Sequence, residues 1–218
     1  MKIGIAISSY NRPELLFDTV QYHKQFLPEG AEILIVQDRD EKRMGIPRIK
    51  NLCLKLLEAK GVTDYFLFDD DAWPIAKDWW RPYVESKEPH LMYQFRLPGK
   101  PEKDMRELWR GDDLVAYSHT RGAMIYVNQS VLDTVGGMDT AYGLGVFEHP
   151  DWSNRIHNAG LTSFRAMDVV GSDKLIYCLD QDEYIKSSIP DSVKRDQTRK
   201  NFKLYQASKT SKEYKEFR

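Results

Sequence analysis

Two cysteines in 218 residues, Cys53 and Cys178, are too few for a disulfide framework, and neither belongs to a Cys-x-x-Cys pair. A disulfide-dense scaffold and a thiolate zinc site are excluded. Long apolar runs are missing as well. None approaches the ~18 residues that a membrane-spanning helix needs. The first residues, MKIGIAISSYNRP, alternate like a strand where a secretory leader would carry an apolar stretch. A reduced, cytoplasmic protein without an integral membrane segment is the expectation. Internal repeats are absent, and so is low complexity outside a Lys-rich tail. Net charge is almost absent at −1, but from residue 186 to 218 ten Lys or Arg face four Asp or Glu, an excess of +6. Such a tail meets phosphates on nucleic acid or lipid, or forms the solvated face of a helix.

What is present suits one globular domain. The 41% hydrophobic fraction can fill a sizeable core. Residues 2–8 (KIGIAIS) place Ile3, Ile5 and Ile7 on one face and read as a strand. Asn11 and Glu14 have capping-box spacing ahead of Leu16, Val20, His23 and Leu27, which predicts a helix capped by Asn11. Residues 32–37 (EILIVQ) form a second predicted strand with Asp38 at its carboxyl end. Ile49, Leu52, Leu56 and Leu57 mark a second helix, stopped at Gly61. Residues 65–68 (YFLF) form a third strand whose unbroken apolar run predicts burial on both faces. This order is that of a parallel α/β sheet with right-handed crossovers, which binds ligands at the carboxyl ends of its strands.

The second half reads as mixed. Residues 90–97 and 122–127 are predicted strands separated by a charged loop from about 98 to 113. Ser130 starts a short helix ending at Gly136 and Gly137. Another helix opens at Glu148 with Pro150 in its first turn and Gly160 beyond its end. Residues 164–170 are a predicted strand, and a basic helix spans about 191 to 207.

The chemistry concentrates in residues 66–74, FLFDDDAWP. Three adjacent carboxylates repel one another, and each raises its neighbours' pKa unless a cation compensates. Asp69 and Asp71, two apart at a strand end, suit one hard divalent cation, Mg²⁺ or Mn²⁺, whose shell phosphates and waters complete. An acidic turn is the bland alternative. A haloacid-dehalogenase-type phosphatase also uses Asp-x-Asp after a strand, but after the first strand of its domain, whereas this run follows the third.

In chain order these segments resemble the nucleotide-sugar glycosyltransferases of the GT-A fold, close to the large family 2 group. AISSYNRP is similar to the family's first-strand turn, and VQD, ending at Asp38, to the second-strand acid that reads the base. Residues 45–54 (GIPRIKNLCL) match a Gly…Ala-Arg-Asn segment at Gly45, Arg48 and Asn51. FLFDDD is similar to the Asp-x-Asp metal motif. Residues 121–139 resemble the acceptor-side "GA…GGFD" segment, and 148–160 the "ED-x-D…R…G" segment that carries the base.

The resemblance implies an α/β GT-A domain with a Rossmann-like nucleotide-binding half over 1–97. An acceptor and catalytic half then spans 98–185, and a basic helical tail 186–218. It implies transfer of a sugar from a nucleoside diphosphate sugar, UDP in first place, to an acceptor hydroxyl with inversion. Asp69 and Asp71 would hold Mn²⁺ or Mg²⁺. Ser8, Tyr10, Arg12, Asp38, Arg48, Asn51 and Asp70 would face the donor, and Asp139, Gly137 and Trp73 the acceptor. The family's usual base aligns with His149, so Glu148, Asp151 and His149 all stand as candidates, in the order Glu148, Asp151, His149. Asp173, His149 or a water would supply a third metal ligand. His23, His90, His119 and His157 read as structural. A soluble glycan is the expected acceptor, with a hydroxylated base in DNA as the alternative that the basic tail suggests. Other functions on this fold are a non-catalytic nucleotide-sugar-binding module and a metal-dependent phosphatase or nucleotidyltransferase.

Overall fold

In the computed structural model, residues 1–39, 41, 43–97, 105–182 and 190–218 are described. The boundaries expected at 97/98 and 185/186 adjoin segments outside these residues, and so does part of the expected 98–113 loop. The alternating first half builds β1 (Ile3–Tyr10), α1 (Pro13–Gln25), β2 (Glu32–Asp38), α2 (Ile46–Glu58) and β3 (Asp64–Asp69). β1 pairs in parallel with β2 and with β3, and Tyr10 lies opposite Asp38 and Ser8 opposite Asp69. Three strand ends carrying polar groups therefore share one edge of the sheet.

Alternation along β1 and β3 divides the core in two. Ile3, Ile5, Ile7, Phe66 and Phe68 pack with Leu16 and Val20 of α1. Ala6, Tyr65 and Leu67 pack on the opposite face with Cys53, Leu54 and Leu57 of α2. β3 is thus buried on both faces, and each large apolar side chain there contributes about 1.5–3 kcal/mol.

Beyond β3 follow β4 (Ala72–Pro74), α3 (Arg81–Val84), β5 (His90–Met92), β6 (Glu107–Arg110), β7 (Leu114–Tyr117) and β8 (Met124–Asn128). Next come α4 (Gln129–Val135), α5 (Glu148–Asn158), β9 (Met167–Val169), β10 (Ile176–Cys178) and α6 (Asp191–Ser208). β8 inserts antiparallel between β3 and β5, giving the order β2-β1-β3-β8-β5 with four of five strands running the same way. Two small antiparallel sheets, β6-β7-β9 and β4-β10, flank it.

The differences from expectation are local. Arg12, not Asn11, is the N-cap of α1 and makes no side-chain capping bond, because Asn11 adopts a left-handed φ of 52°. α4 is capped by Asn128, which accepts from the Ser130 N–H. The strand expected over 90–97 ends at Met92, and the charged loop contains β6.

Candidate active site

At the end of β3 the three aspartates have distinct environments. Asp70 is fully buried; Arg12 forms an ion pair with it and donates from Nε at 3.1 Å, and Ser9 Oγ donates at 2.5 Å. Asp71 also faces Arg12, with Nη1 at 3.3 Å. Asp69 is the most open, its side chain 35% exposed, and Lys50 Nζ lies 2.7 Å from it. Burial, and then the neighbouring Asp69 charge, push the Asp71 pKa well above the usual carboxylate range. When all three are ionised, the carboxylates outnumber the two cations beside them. Of the two roles the resemblance leaves for Asp70, a ribose contact or a support for its neighbours, the second fits, since its oxygens are spent on Arg12 and Ser9.

That surplus fits a divalent cation at Asp69 and Asp71. No group of three or more His, Cys, Asp or Glu that could hold a metal occurs among the described residues. The carboxylate whose charge reaches Asp71 from another element is Asp180, just after β10, rather than the expected Asp173. Asp173 sits exposed in a short 3-10 turn. β10 pairs with β4, and Leu179 N–H donates to Asp71 O at 2.9 Å, which brings Asp180 to the cluster.

Beside Asp69 a small cleft of about 70 Å³ is lined by Ser8, Tyr10, Arg12, Asp38, Arg43 and Gly45, among others. The Arg43 guanidinium stacks over the Tyr10 ring at 4.5 Å, and Asp38 Oδ2 accepts the Met44 N–H at 2.6 Å. Gly45, at φ 91°, is required here. A Cβ would lie 2.2 Å from the Gly143 carbonyl, where the later loop closes against the start of α2.

Several expected contacts fall elsewhere. Arg48 lies on the exposed face of α2, away from the cleft lining. The cation that α2 supplies is Lys50, 2% exposed and donating also to Phe68 O at 2.8 Å. Its signal was a lysine on the apolar stripe of the helix. Asn51 is not a donor contact: its amide bonds Met138 O and N at 2.9 and 2.8 Å. Gly137 is not an acceptor surface, because a Cβ there would lie 2.4 Å from Asn51 Oδ1 and 2.6 Å from Phe217 Cβ. Asp139 accepts the Ala141 N–H and pairs with Lys215 at 3.2 Å, which ties it to the C-terminal segment. Trp73 is packed between Tyr22, stacked at 4.6 Å, and Tyr177, leaving no open ring face for a sugar. Ser9, Lys50, Arg43 and Asp180 escaped the sequence reading, because contacts between separate segments place them.

The three base candidates separate clearly. Asp151 is buried and fully engaged by Arg155 Nε at 3.0 Å, Tyr142 Oη at 3.1 Å and Ser208 Oγ at 2.5 Å. Arg155 continues to Val135 O and Gly137 O, so Asp151 anchors a network joining α4, α5 and α6. It is not a free base. Glu148 differs: Oε1 lies 3.0 Å from His149 Nδ1, and buried Oε2 has no hydrogen-bond partner among the described residues. Val146 and Phe147, just before it, both hold left-handed φ values of 70° and 74°. Non-glycine residues adopt that geometry only where surroundings enforce it. Asn201 of α6 enforces it by donating to the carbonyls of Tyr142, Gly145 and Val146.

One segment runs between the aspartates and His149, the residue next to this carboxylate. Ala123 O accepts the Asp69 N–H at 2.9 Å, while a Cβ on the adjacent Gly122 would lie 3.1 Å from His149 Nδ1. Next to the same segment a second cavity of about 810 Å³ opens, lined by Arg121, Phe147 and Pro150 among others. His119 and His157, read as structural from sequence, also line it. His23 and His90 are buried structural residues as expected.

A parallel first half, an acidic β3 terminus and a mixed second half match the GT-A architecture, and this chain has the GT-A fold. No family model matches the sequence. The chain is 30% identical over 125 residues to an uncharacterized glycosyltransferase of Acanthamoeba polyphaga mimivirus, covering 43% of this chain and about half, 48%, of that relative. Among solved structures it is similar to a Drosophila β1,4-galactosyltransferase 7 crystallised with manganese, UDP-Gal and xylobiose. That match has TM-score 0.56 and 16% identity, over 91% of this chain and 79% of the other. It is similar also to TarS of S. aureus, with TM-score 0.51 and 12% identity over 95% and 72% of the two chains. A putative glucose-1-phosphate thymidylyltransferase of Bacillus anthracis shares the architecture at TM-score 0.50 and 12% identity, over 100% and 99%. These structural likenesses are of fold. No described helix is long and apolar enough to cross a membrane.

Proposed function

We propose that this chain is a metal-dependent glycosyltransferase that moves a sugar from a nucleoside diphosphate sugar to an acceptor hydroxyl. The observation that carries the reading is Glu148, a buried carboxylate with one unpartnered oxygen, whose neighbour His149 lies against Gly122, next to the Ala123 carbonyl that accepts the Asp69 N–H. The mimivirus relative named as a glycosyltransferase and the galactosyltransferase-like fold support it.

Asp69 and Asp71 would hold Mn²⁺ or Mg²⁺, and a bound ion supplies charge neutralisation to the departing diphosphate. Arg12, already on Asp71, is placed to share the phosphate charge. Asp38 is acceptor-only when ionised, and it suits a base that offers an imide N–H, as uracil does. Ser8 and Tyr10 form the adjoining wall. Glu148 Oε2 takes the proton from the attacking acceptor hydroxyl, while His149 Nδ1 orients Oε1. A single in-line attack by that hydroxyl, on the face opposite the departing diphosphate, would invert the anomeric centre.

The test is thermal denaturation with UDP or GDP and Mn²⁺, followed by assay of nucleoside diphosphate release from UDP- and GDP-sugars. UDP with Mn²⁺ is expected to raise Tm, EDTA to abolish the rise, and Asp71→Ala to abolish both binding and release. Stabilisation by UDP with no release from any nucleotide sugar would leave a binding module. Turnover of phosphate monoesters or nucleoside triphosphates instead would make it a phosphatase or nucleotidyltransferase.

A further inference from the structure

The 810 Å³ cavity has a size typical of small-molecule sites and a lining whose charged residues are of one sign. In a protein of net charge −1, it is lined by Arg121, Arg165, Lys209, His119 and His157 and, among the described residues, by no Asp or Glu. Arg165 and Lys209 are exposed, and no described carboxylate pairs with either. The cations come from separate elements: the segment after β7, the segment before β9, the end of α5 and the residue after α6. They converge only in the folded chain.

A second observation points to a ligand. Asn154 is 2% exposed and lines this cavity, and its Nδ2 has no hydrogen-bond partner among the described residues. Leaving a buried amide donor unpaired is unfavourable, and a ligand oxygen would satisfy it. Pro150, Asn154 and His157 all line the cavity at i, i+4 and i+7 of α5, the helix that opens with Glu148. Flat apolar walls complete the site: Phe164, backed by Trp109 at 5.6 Å, and Tyr205, stacked on Phe147 at 5.2 Å. Aromatic faces pack against the C–H faces of a sugar ring, and the polar rim meets its hydroxyls.

We propose that this cavity is the acceptor site and that it selects a saccharide bearing an anionic group: carboxylate, sulfate or phosphate. The anion lies among Arg165, Lys209 and His157, and Asn154 donates to a ring substituent. The hydroxyl to be glycosylated points toward Pro150 and Glu148. Only the word acceptor rests on the glycosyltransferase reading; the anionic selectivity stands on the lining itself.

Isothermal titration calorimetry with the full chain tests this on three pairs: cellobiouronic acid against cellobiose, lactose 6′-sulfate against lactose, and mannose 6-phosphate against mannose. At least one anionic member should bind about tenfold or more tightly than its neutral partner. Its affinity should fall between about 50 mM and about 200 mM salt, as phosphate or sulfate contacts to Lys and Arg do. The pair that shows the preference identifies the anion. Arg165→Glu combined with Lys209→Glu should erase it, and Arg165→Lys with Lys209→Arg should retain it; both positions are exposed, and the melting transition reports folding. Equal binding within every pair, or a preference that survives charge reversal, overturns the proposal. So does tighter binding of a short oligothymidylate that the reversal also abolishes, since the cavity would then serve nucleic acid. Anionic preference without nucleoside diphosphate release would sink the transferase reading alone. Release with a preference for neutral sugars would sink only the selectivity.

Discussion

The two acidic ends of the site treat their carboxylates in opposite ways. At the end of β3, Asp69, Asp70 and Asp71 are packed against Lys50, Arg12 and Ser9, and the charge left over calls for a further cation. At the start of α5, Asp151 is saturated by three donors, while Glu148 three residues earlier keeps one oxygen unpaired. Paired carboxylates are poor bases, because every hydrogen bond to the anion holds it ionised. The first end gathers charge, and the second keeps one carboxylate oxygen unengaged, as the proposed proton transfer requires. Within the second, sequence proximity is misleading, since one carboxylate of the same helical turn has an unpaired oxygen and the other is fully bonded.

The sharpest way to break this contrast is to change each acid in turn. Glu148→Gln should lower the turnover of nucleoside diphosphate release about 10²–10⁴-fold, the usual worth of a general base. The KM for the donor should stay within about twofold and the melting temperature should be unchanged. A variant that keeps its turnover would remove Glu148 from the chemistry. Asp151→Asn should do the reverse. Arg155, fully buried, would lose its counter-charge, which costs about 3–5 kcal/mol. For a chain of this length that corresponds to roughly 6–20 °C in Tm. Turnover per folded molecule should persist, and calorimetry beside kinetics separates the two.

Much of this contrast was legible in the residues, and the part that was not has a physical cause. β1 and the two helices follow from hydrophobic period, and β2 and β3 from their apolar runs, because each element carries one pattern over several residues. The acidic β3 terminus and Asp38 follow from strand order. The GT-A fold was legible from the order of several weak motifs. What sequence spacing does not encode is which side chains meet across loops. Asn51 and Gly137 matched motif positions, yet in the fold they touch each other and the C-terminal segment. Lys50 is core, although its residue type favours the surface. The short strands β4, β6 and β10 carry too few residues for any period to register.

Acid stability gives a smaller effect that tests the scaffold beneath α5. His90 is buried between β8 and α5, its Nδ1–H donating to Tyr126 O at 3.0 Å and its Nε2 2.9 Å from Ser153 Oγ. Burial drives its pKa down to about 4. Above the unfolded value of about 6.5 both states are neutral and no penalty exists. As pH falls below that, the unfolded chain takes up a proton that the folded chain refuses, so stability is lost until about pH 4. Between pH 7 and pH 5 wild type should therefore lose about 2 kcal/mol relative to His90→Gln. The comparison with the variant matters, because burial raises Asp168 to about 7, and this shift stabilises the fold toward low pH. Urea titrations of both proteins at the two pH values measure the difference. Parallel pH profiles would mean that His90 is protonated in the fold.

The smallest expected effect concerns the donor end and a residue that motif matching favoured. Arg48 occupies the family's arginine position, but it projects from the exposed face of α2, two residues from Lys50 and about 200° around the helix. The buried face belongs to Ile49, Lys50, Cys53 and Leu57, so the ammonium of Lys50 reaches Asp69 while the Arg48 guanidinium stays solvated. An exposed side chain outside any network changes stability by no more than about 0.5 kcal/mol when truncated. Arg48→Ala should accordingly leave the urea midpoint and the KM for the nucleotide sugar essentially as in wild type, within about twofold. A tenfold rise in KM would show instead that α2 turns toward the diphosphate when the donor binds. In that case the cation balance at β3 would be set by Arg48 as well as by Lys50 and Arg12.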